Sequence, residues 1–184
     1  RSRSLTVQRV MEYLDGILAG LKVMHDAGLG HLDLKPSNVI LRDGATPVLV
    51  DFGLSGRQLR PGCGSLDYCA PEVLGLVPEG HTPTPQAADI YAFGCTAFEL
   101  LTAQPLFDGE DEMVLATQHV SHDGWPARLA ALDADPRVSP LARTLALCLR
   151  RDPRNRTRVE HLRATLAQLA PQLRSVEWPI SPQR

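Results

Sequence analysis

Lysine is nearly absent from these 184 residues: Lys22 and Lys35 are the only two among 19 basic side chains, and the other 17 are arginine. A lysine retained in such a chain carries information, because a compact ammonium and a planar guanidinium are not interchangeable. No stretch approaches 18 consecutive apolar residues, which excludes a bilayer-spanning helix in this segment. The basic start, RSRSLTVQRVMEYLDG, has no continuous apolar core and no small-residue cleavage site, so it does not read as a secretory signal. Neither sign of charge dominates. The formal net charge is −2, which gives no global pull toward nucleic acid or an anionic membrane. Cys63, Cys69, Cys95 and Cys148 show no CxxC spacing and no metal-ligand pattern with histidine. They read as reduced thiols of a cytoplasmic protein, and a Cys63–Cys69 bridge has no support. His119 and His122 lack a third ligand at a useful spacing and are expected at the surface.

The length suits one domain with its own core, and 43% apolar and 22% charged residues suit a globular one. Over residues 5–27, Val7, Val10, Met11, Leu14, Ile17, Leu18, Leu21 and Met24 recur at helical spacing and predict a long helix with one buried stripe. Ser4 can cap its start and Gly28 can end it. Two short apolar runs, Asn38–Leu41 and Pro47–Val50, flank an Asp43-Gly44 turn and predict a hairpin. Residues 54–69 read as an irregular loop. Residues 86–102, apolar almost all round, predict a buried central helix. Amphipathic segments near 110–120, 139–150 and 158–170 complete a mainly α domain.

Two clusters carry chemistry. His31-Leu32-Asp33-Leu34-Lys35-Pro36-Ser37-Asn38 lies between the long helix and the first strand, and Asp51-Phe52-Gly53 follows the second strand. Either alone is a common loop. Together they place a carboxylate base, an ammonium and two oxygen ligands at one hairpin mouth, because Asn38 and Asp51 bracket its strands. Phosphoryl transfer needs those parts: a hydroxyl held in line, a base, and cations around the phosphates. Oxygen donors also suit Mg²⁺.

These clusters resemble the catalytic and metal loops of the eukaryotic-type serine/threonine protein kinase family. Ala70-Pro71-Glu72 resembles the motif closing its activation segment, and Gly64-Ser65-Leu66-Asp67-Tyr68 its substrate-holding stretch. Asp89-Ile90-Tyr91-Ala92-Phe93-Gly94 resembles its central-helix motif. The likeness spans about residues 5–170. It implies the larger, helical lobe of a kinase with a small β-hairpin at the cleft, ATP and Mg²⁺ as cofactors, and a protein substrate. Asp33 would orient the hydroxyl and take its proton, and Lys35 would reach the γ-phosphate. Asn38 and Asp51 would hold Mg²⁺, and Ile40 would lie beneath adenine. Ser65 would bridge Asp33 and Lys35 and help select a serine or threonine acceptor. His31 and Phe52 would join the apolar column between lobes, Asp89 would hold the catalytic loop, and Glu72 would pair with Arg156.

Departures accompany the likeness. Leu32 replaces the arginine that in the family receives an activation-loop phosphate, and Ser55 and Ser65 are the only hydroxyls between Gly53 and Tyr68. Activity independent of loop phosphorylation is therefore expected. No glycine-rich phosphate loop and no strand lysine precede the catalytic loop, so residues 1–184 are expected to be the C-terminal lobe cut from a longer kinase. The missing N-terminal lobe would be its partner, and the piece alone would be inactive. Membrane tethering of the parent would fall to a segment outside this chain. A pseudokinase or interaction scaffold is the alternative. A small-molecule phosphotransferase of the antibiotic- or choline-kinase type fits less well, given Ala70-Pro71-Glu72 and Ser65.

Overall fold

The computed structural model describes residues 5–77 and 79–181. The chain folds as helices packed around one central helix, with a two-stranded antiparallel sheet on one side. Helix α1, Val7–Asp26, begins at Thr6, whose hydroxyl accepts the Arg9 amide at 3.2 Å. Ser4, the cap expected from the sequence, lies outside the described residues. The stripe from Val7 to Leu21 is buried, whereas Met24 is only partly so. Gly28, at φ 74, ends the helix in the left-handed region.

Strands β1 (Val39–Arg42) and β2 (Thr46–Leu49) pair antiparallel, with Val39 opposite Leu49 and Ile40 opposite Val48. Each sits one residue nearer the Asp43-Gly44 turn than the apolar runs suggested. Asn38 and Val50 therefore fall just beyond the ladder, still joined by the Val50 amide to the Asn38 carbonyl at 3.0 Å. The hairpin lies against α1 where that helix has glycine. A Cβ at Gly16 would fall 2.3 Å from Pro47 Cγ, and one at Gly20 3.0 Å from Leu49 Cδ1. Two helical glycines, each costing about 1 kcal/mol of helix propensity, give the sheet room to approach.

Helix α2, Pro85–Thr102, is the central one. Thr84 caps it, Pro85 opens it, and Ala88 to Phe98 are buried without interruption. Around it stand α3 (Glu112–Val120), α4 (Ala127–Asp133), α5 (Ser139–Cys148) and α6 (Val159–Leu169). Helix α4, only seven residues long, gave no distinct periodic signal in the sequence. All four cysteines are free thiols.

The two histidines expected at the surface are a correction. His119 is fully buried and His122 half-buried. The Tyr91 hydroxyl lies 2.9 Å from His119 Nδ1 and 3.3 Å from His122 Nε2, and the Phe107 ring centroid lies 4.1 Å from that of His119. A polar-looking stretch turns these rings inward because the aromatic residues they meet come from elsewhere in the chain. Burial, assisted by the neighbouring His122, pushes the His119 pKa down to about 4. Burial also pushes His122 down to about 4, with Arg151 and Arg156 assisting and Asp123 opposing. Both rings fold in the neutral form, so their contribution is complete above the unfolded value near 6.5 and is lost as pH falls toward 4. Unfolding free energy is expected to fall through that window by up to about 1.4 kcal/mol per pH unit per group, and the melting temperature with it. A His119→Gln variant should show a flatter profile by circular dichroism; an unchanged slope would place the acid sensitivity elsewhere.

Candidate active site

The loop between α1 and β1 is fixed from below by Asp89, in the first turns of α2. Its fully buried carboxylate accepts the His31 and Leu32 amides, both at 2.8 Å, and lies 2.9 Å from His25 Nε2. Leu32 is thereby held at φ 66, a left-handed conformation uncommon for a bulky residue. Gly30 lies against the start of α2, where a Cβ would come within 2.5 Å of Pro85 Cβ.

Asp33 then stands at the centre of a hydrogen-bonded cluster. Its Oδ1 accepts the Ser65 hydroxyl at 2.9 Å and the Ser65 amide at 3.1 Å. Its Oδ2 lies 2.9 Å from the Lys35 ammonium and accepts Asn38 Nδ2 at 3.0 Å. Lys35 also donates to the Ser65 oxygen at 2.6 Å, so one hydroxyl joins the ammonium to the carboxylate. Burial alone would raise the Asp33 pKa. Hydrogen bonds from Lys35, Ser65 and Asn38, with the Lys35 charge, outweigh that effect and hold it below the ordinary carboxylate value. The group is therefore an ionised acceptor at neutral pH.

Gly64 lets the Ser65 stretch come this close. It sits at φ 105, and a Cβ there would lie 3.2 Å from the Leu32 carbonyl oxygen. Gly64 stands in the stretch that resembles the family's substrate-holding segment, but its close approach to Leu32 was not legible in the sequence. Tyr68, whose hydroxyl donates to Glu99 at 2.7 Å, was likewise missed as an anchor of the same stretch to α2.

The metal-ligand candidates lie at the same mouth. Asn38 donates Nδ2 to the Asp33 carbonyl at 2.8 Å as well as to its carboxylate, and its Oδ1 makes no hydrogen bond among the described residues. Asp51, one residue after the partner of Asn38, is exposed at φ 63 and, among the described residues, accepts only the Gly53 amide, at 3.4 Å. An amide oxygen and a carboxylate with open valences fit Mg²⁺, which takes oxygen ligands and keeps several waters. No larger cage of three or more His, Cys, Asp or Glu side chains exists among the described residues.

His31 joins the two clusters, since its Nε2 lies 3.0 Å from the Val50 carbonyl oxygen and its ring centroid 5.4 Å from that of Phe52. Phe52 is 55% exposed and Ile40 51% exposed, so both leave apolar surface open at the cleft. Remote from the cleft, Arg156 and Glu72 form a buried two-pronged pair. Among the described residues no helix is long and apolar enough to cross a membrane.

Comparison with known proteins gives the following. The family described as Protein kinase domain matches residues 1–166. A mouse protein named Ribosomal protein S6 kinase alpha-3 is 34% identical over 158 residues, which are 82% of this chain and 20% of the relative. A Streptomyces coelicolor protein named as a probable serine/threonine-protein kinase is 31% identical over 161 residues, covering 82% of this chain and 23% of the relative. A mouse protein named Inactive serine/threonine-protein kinase PLK5 is 34% identical over 167 residues, 87% of this chain and 26% of the relative. The chain spans between 19% and 36% of the length of other curated relatives it matches.

Proposed function

Because this chain belongs to the protein kinase domain family, we propose that it is the C-terminal lobe of a serine/threonine protein kinase and supplies the acceptor half of its cleft. The observation that carries this reading is the Ser65 hydroxyl between Lys35 Nζ and Asp33 Oδ1, at 2.6 and 2.9 Å. An ionised base and an ammonium held by one hydroxyl form a place where an acceptor hydroxyl and a terminal phosphate can meet.

In the reaction, a serine or threonine hydroxyl of a protein substrate attacks the γ-phosphorus of ATP. The bond to the β,γ-bridging oxygen breaks and ADP leaves. Asp33 orients the hydroxyl and accepts its proton, and Lys35 stabilises charge on the transferring group. Asn38 and Asp51 would hold Mg²⁺, which supplies positive charge beside the phosphates. Ile40 would lie under adenine, and Phe52, backed by the buried His31 ring, would meet an N-terminal lobe that completes nucleotide binding. The free thiols support a cytoplasmic setting.

The test is transfer of labelled phosphate from ATP to a generic basic protein by the full-length protein with Mg²⁺. Asp51→Asn is expected to raise the Mg²⁺ concentration needed for half-maximal transfer about tenfold or more, by removing a carboxylate ligand. An unchanged Mg²⁺ dependence would remove Asp51 from the ligand set. A scaffold without turnover is a second reading, favoured by Leu32 and by a relative named inactive. It predicts no transfer under any Mg²⁺ concentration.

A further inference from the structure

Segment 54–65 runs from the Asp51 loop to Ser65, and its path determines whether Ser65 reaches Asp33. Both ends are tied by polar contacts. Gly30 and Gly56 exchange backbone hydrogen bonds at 2.9 and 3.1 Å, and the Ser55 hydroxyl donates to the His31 carbonyl at 3.2 Å. At the other end, Ser65 engages Asp33 and Lys35. The middle is held differently. Leu32, Leu54, Leu59, Cys63 and Val73, with Arg60, wall a cavity of only about 10 Å³, at the lower limit for a single water. Val73 is buried, Leu32, Leu54, Leu59 and Cys63 are half-buried, and Arg60 is exposed at the rim; Leu32 and Leu59 also pack on the main core.

Two facts set this contact apart from a charge-based clamp. Position 32, on the catalytic loop, offers no cation. Ser55 and Ser65 are the only hydroxyls of the segment, and both are engaged inward, so modifying either would break a contact that docks it.

We propose that Leu32 and Leu59 are positioning residues: an apolar latch that presses segment 54–65 onto the catalytic loop and keeps Ser65 on Asp33 and Lys35. The acceptor side of the cleft is then ordered by burial, without a phosphorylated side chain. The latch rests on the kinase reading for its purpose, though not for its existence.

The test uses the full-length protein, comparing the unaltered chain with Leu59→Ser and Leu59→Met. Loosening the latch depopulates the docked loop. Leu59→Ser is expected to raise KM for the protein acceptor about tenfold, equivalent to about 1.4 kcal/mol, and to leave KM for ATP within about twofold. Hydrogen exchange at the Gly62 and Ser65 amides should quicken about tenfold or more. Leu59→Met, apolar and similar in volume, should restore both. A merely structural loss would lower the active fraction and Vmax without moving either KM. Phosphatase treatment of the unaltered protein should leave activity intact.

Unmoved acceptor KM and exchange in Leu59→Ser, or activity abolished by phosphatase, would overturn the proposal. If the unaltered protein transfers no phosphate, exchange alone decides. Faster exchange in the variant keeps the latch while the kinase reading fails, and unchanged exchange ends both. Should Leu59→Ser not fold, Leu54→Ser probes the same cavity wall with the same expected outcomes.

Discussion

Asp33→Asn in the full-length protein is expected to lower phosphate transfer by about 10²–10⁴-fold, the usual range for losing a positioned general base. Asparagine keeps the size and removes the charge. Four donor groups converge on the two Asp33 oxygens: the Lys35 ammonium, the Asn38 amide, and the Ser65 hydroxyl and backbone amide. An amide presents only one oxygen to them and turns an NH₂ group toward the rest. Lys35 then loses its ionic partner, and the acceptor hydroxyl loses its proton sink. ATP binding should change little, because Asp51 is untouched and Asn38 keeps its hydrogen bond to the residue-33 carbonyl, at 2.8 Å. The measurement is incorporation of labelled phosphate into a protein substrate beside equilibrium nucleotide binding. Equal incorporation by both proteins would remove Asp33 from catalysis and favour the scaffold reading. The opposite pattern, lost nucleotide binding with little change in turnover per bound ATP, would mean that the cluster serves the fold and not the reaction.

Much of this arrangement was legible because it depends on local order along the chain. The α1 stripe is a period, and the hairpin is two apolar runs around an Asp-Gly turn. The Asn38 and Asp51 placement follows from bracketing those strands. Hidden features depend on distant residues. Nothing near His119 or His122 indicates that Tyr91 and Phe107 will bury them, so a surface position was the natural expectation. Gly16 and Gly20 look like defects in a helix until Pro47 and Leu49 are seen resting on them. Leu32 was noticed only for the arginine it replaces. Its apolar partners lie 22 to 41 positions away, at Leu54, Leu59, Cys63 and Val73, in a loop with no periodicity to show which side faces inward.

Removing either member of the Glu72–Arg156 pair is expected to destabilise the domain by about 3–5 kcal/mol, ahead of any chemical effect. The two residues are 2% and 7% exposed, and Arg156 Nη2 donates to Glu72 Oε2 at 2.7 Å as one prong of the pair. The guanidinium does more than neutralise the carboxylate. It donates to the backbone carbonyls of Arg150, Ala87 and Arg151 at 2.8, 2.9 and 3.2 Å, and it lies 5.0 Å from the Tyr91 ring centroid. Arg156→Met therefore strands a buried carboxylate and three carbonyl oxygens, whereas Glu72→Gln leaves a cation that keeps its carbonyl acceptors. Arg156→Met should be the more damaging, lowering the melting temperature by about 10 °C or more for a domain of this size. The double variant should cost clearly less than the two single losses added, because a large part of each is the unpaired partner left behind. Calorimetry on the four proteins closes the cycle. Single losses below about 1 kcal/mol, or strict additivity, would mean that the pair is replaceable packing and that the 70–73 turn is held to α2 by its apolar contacts alone.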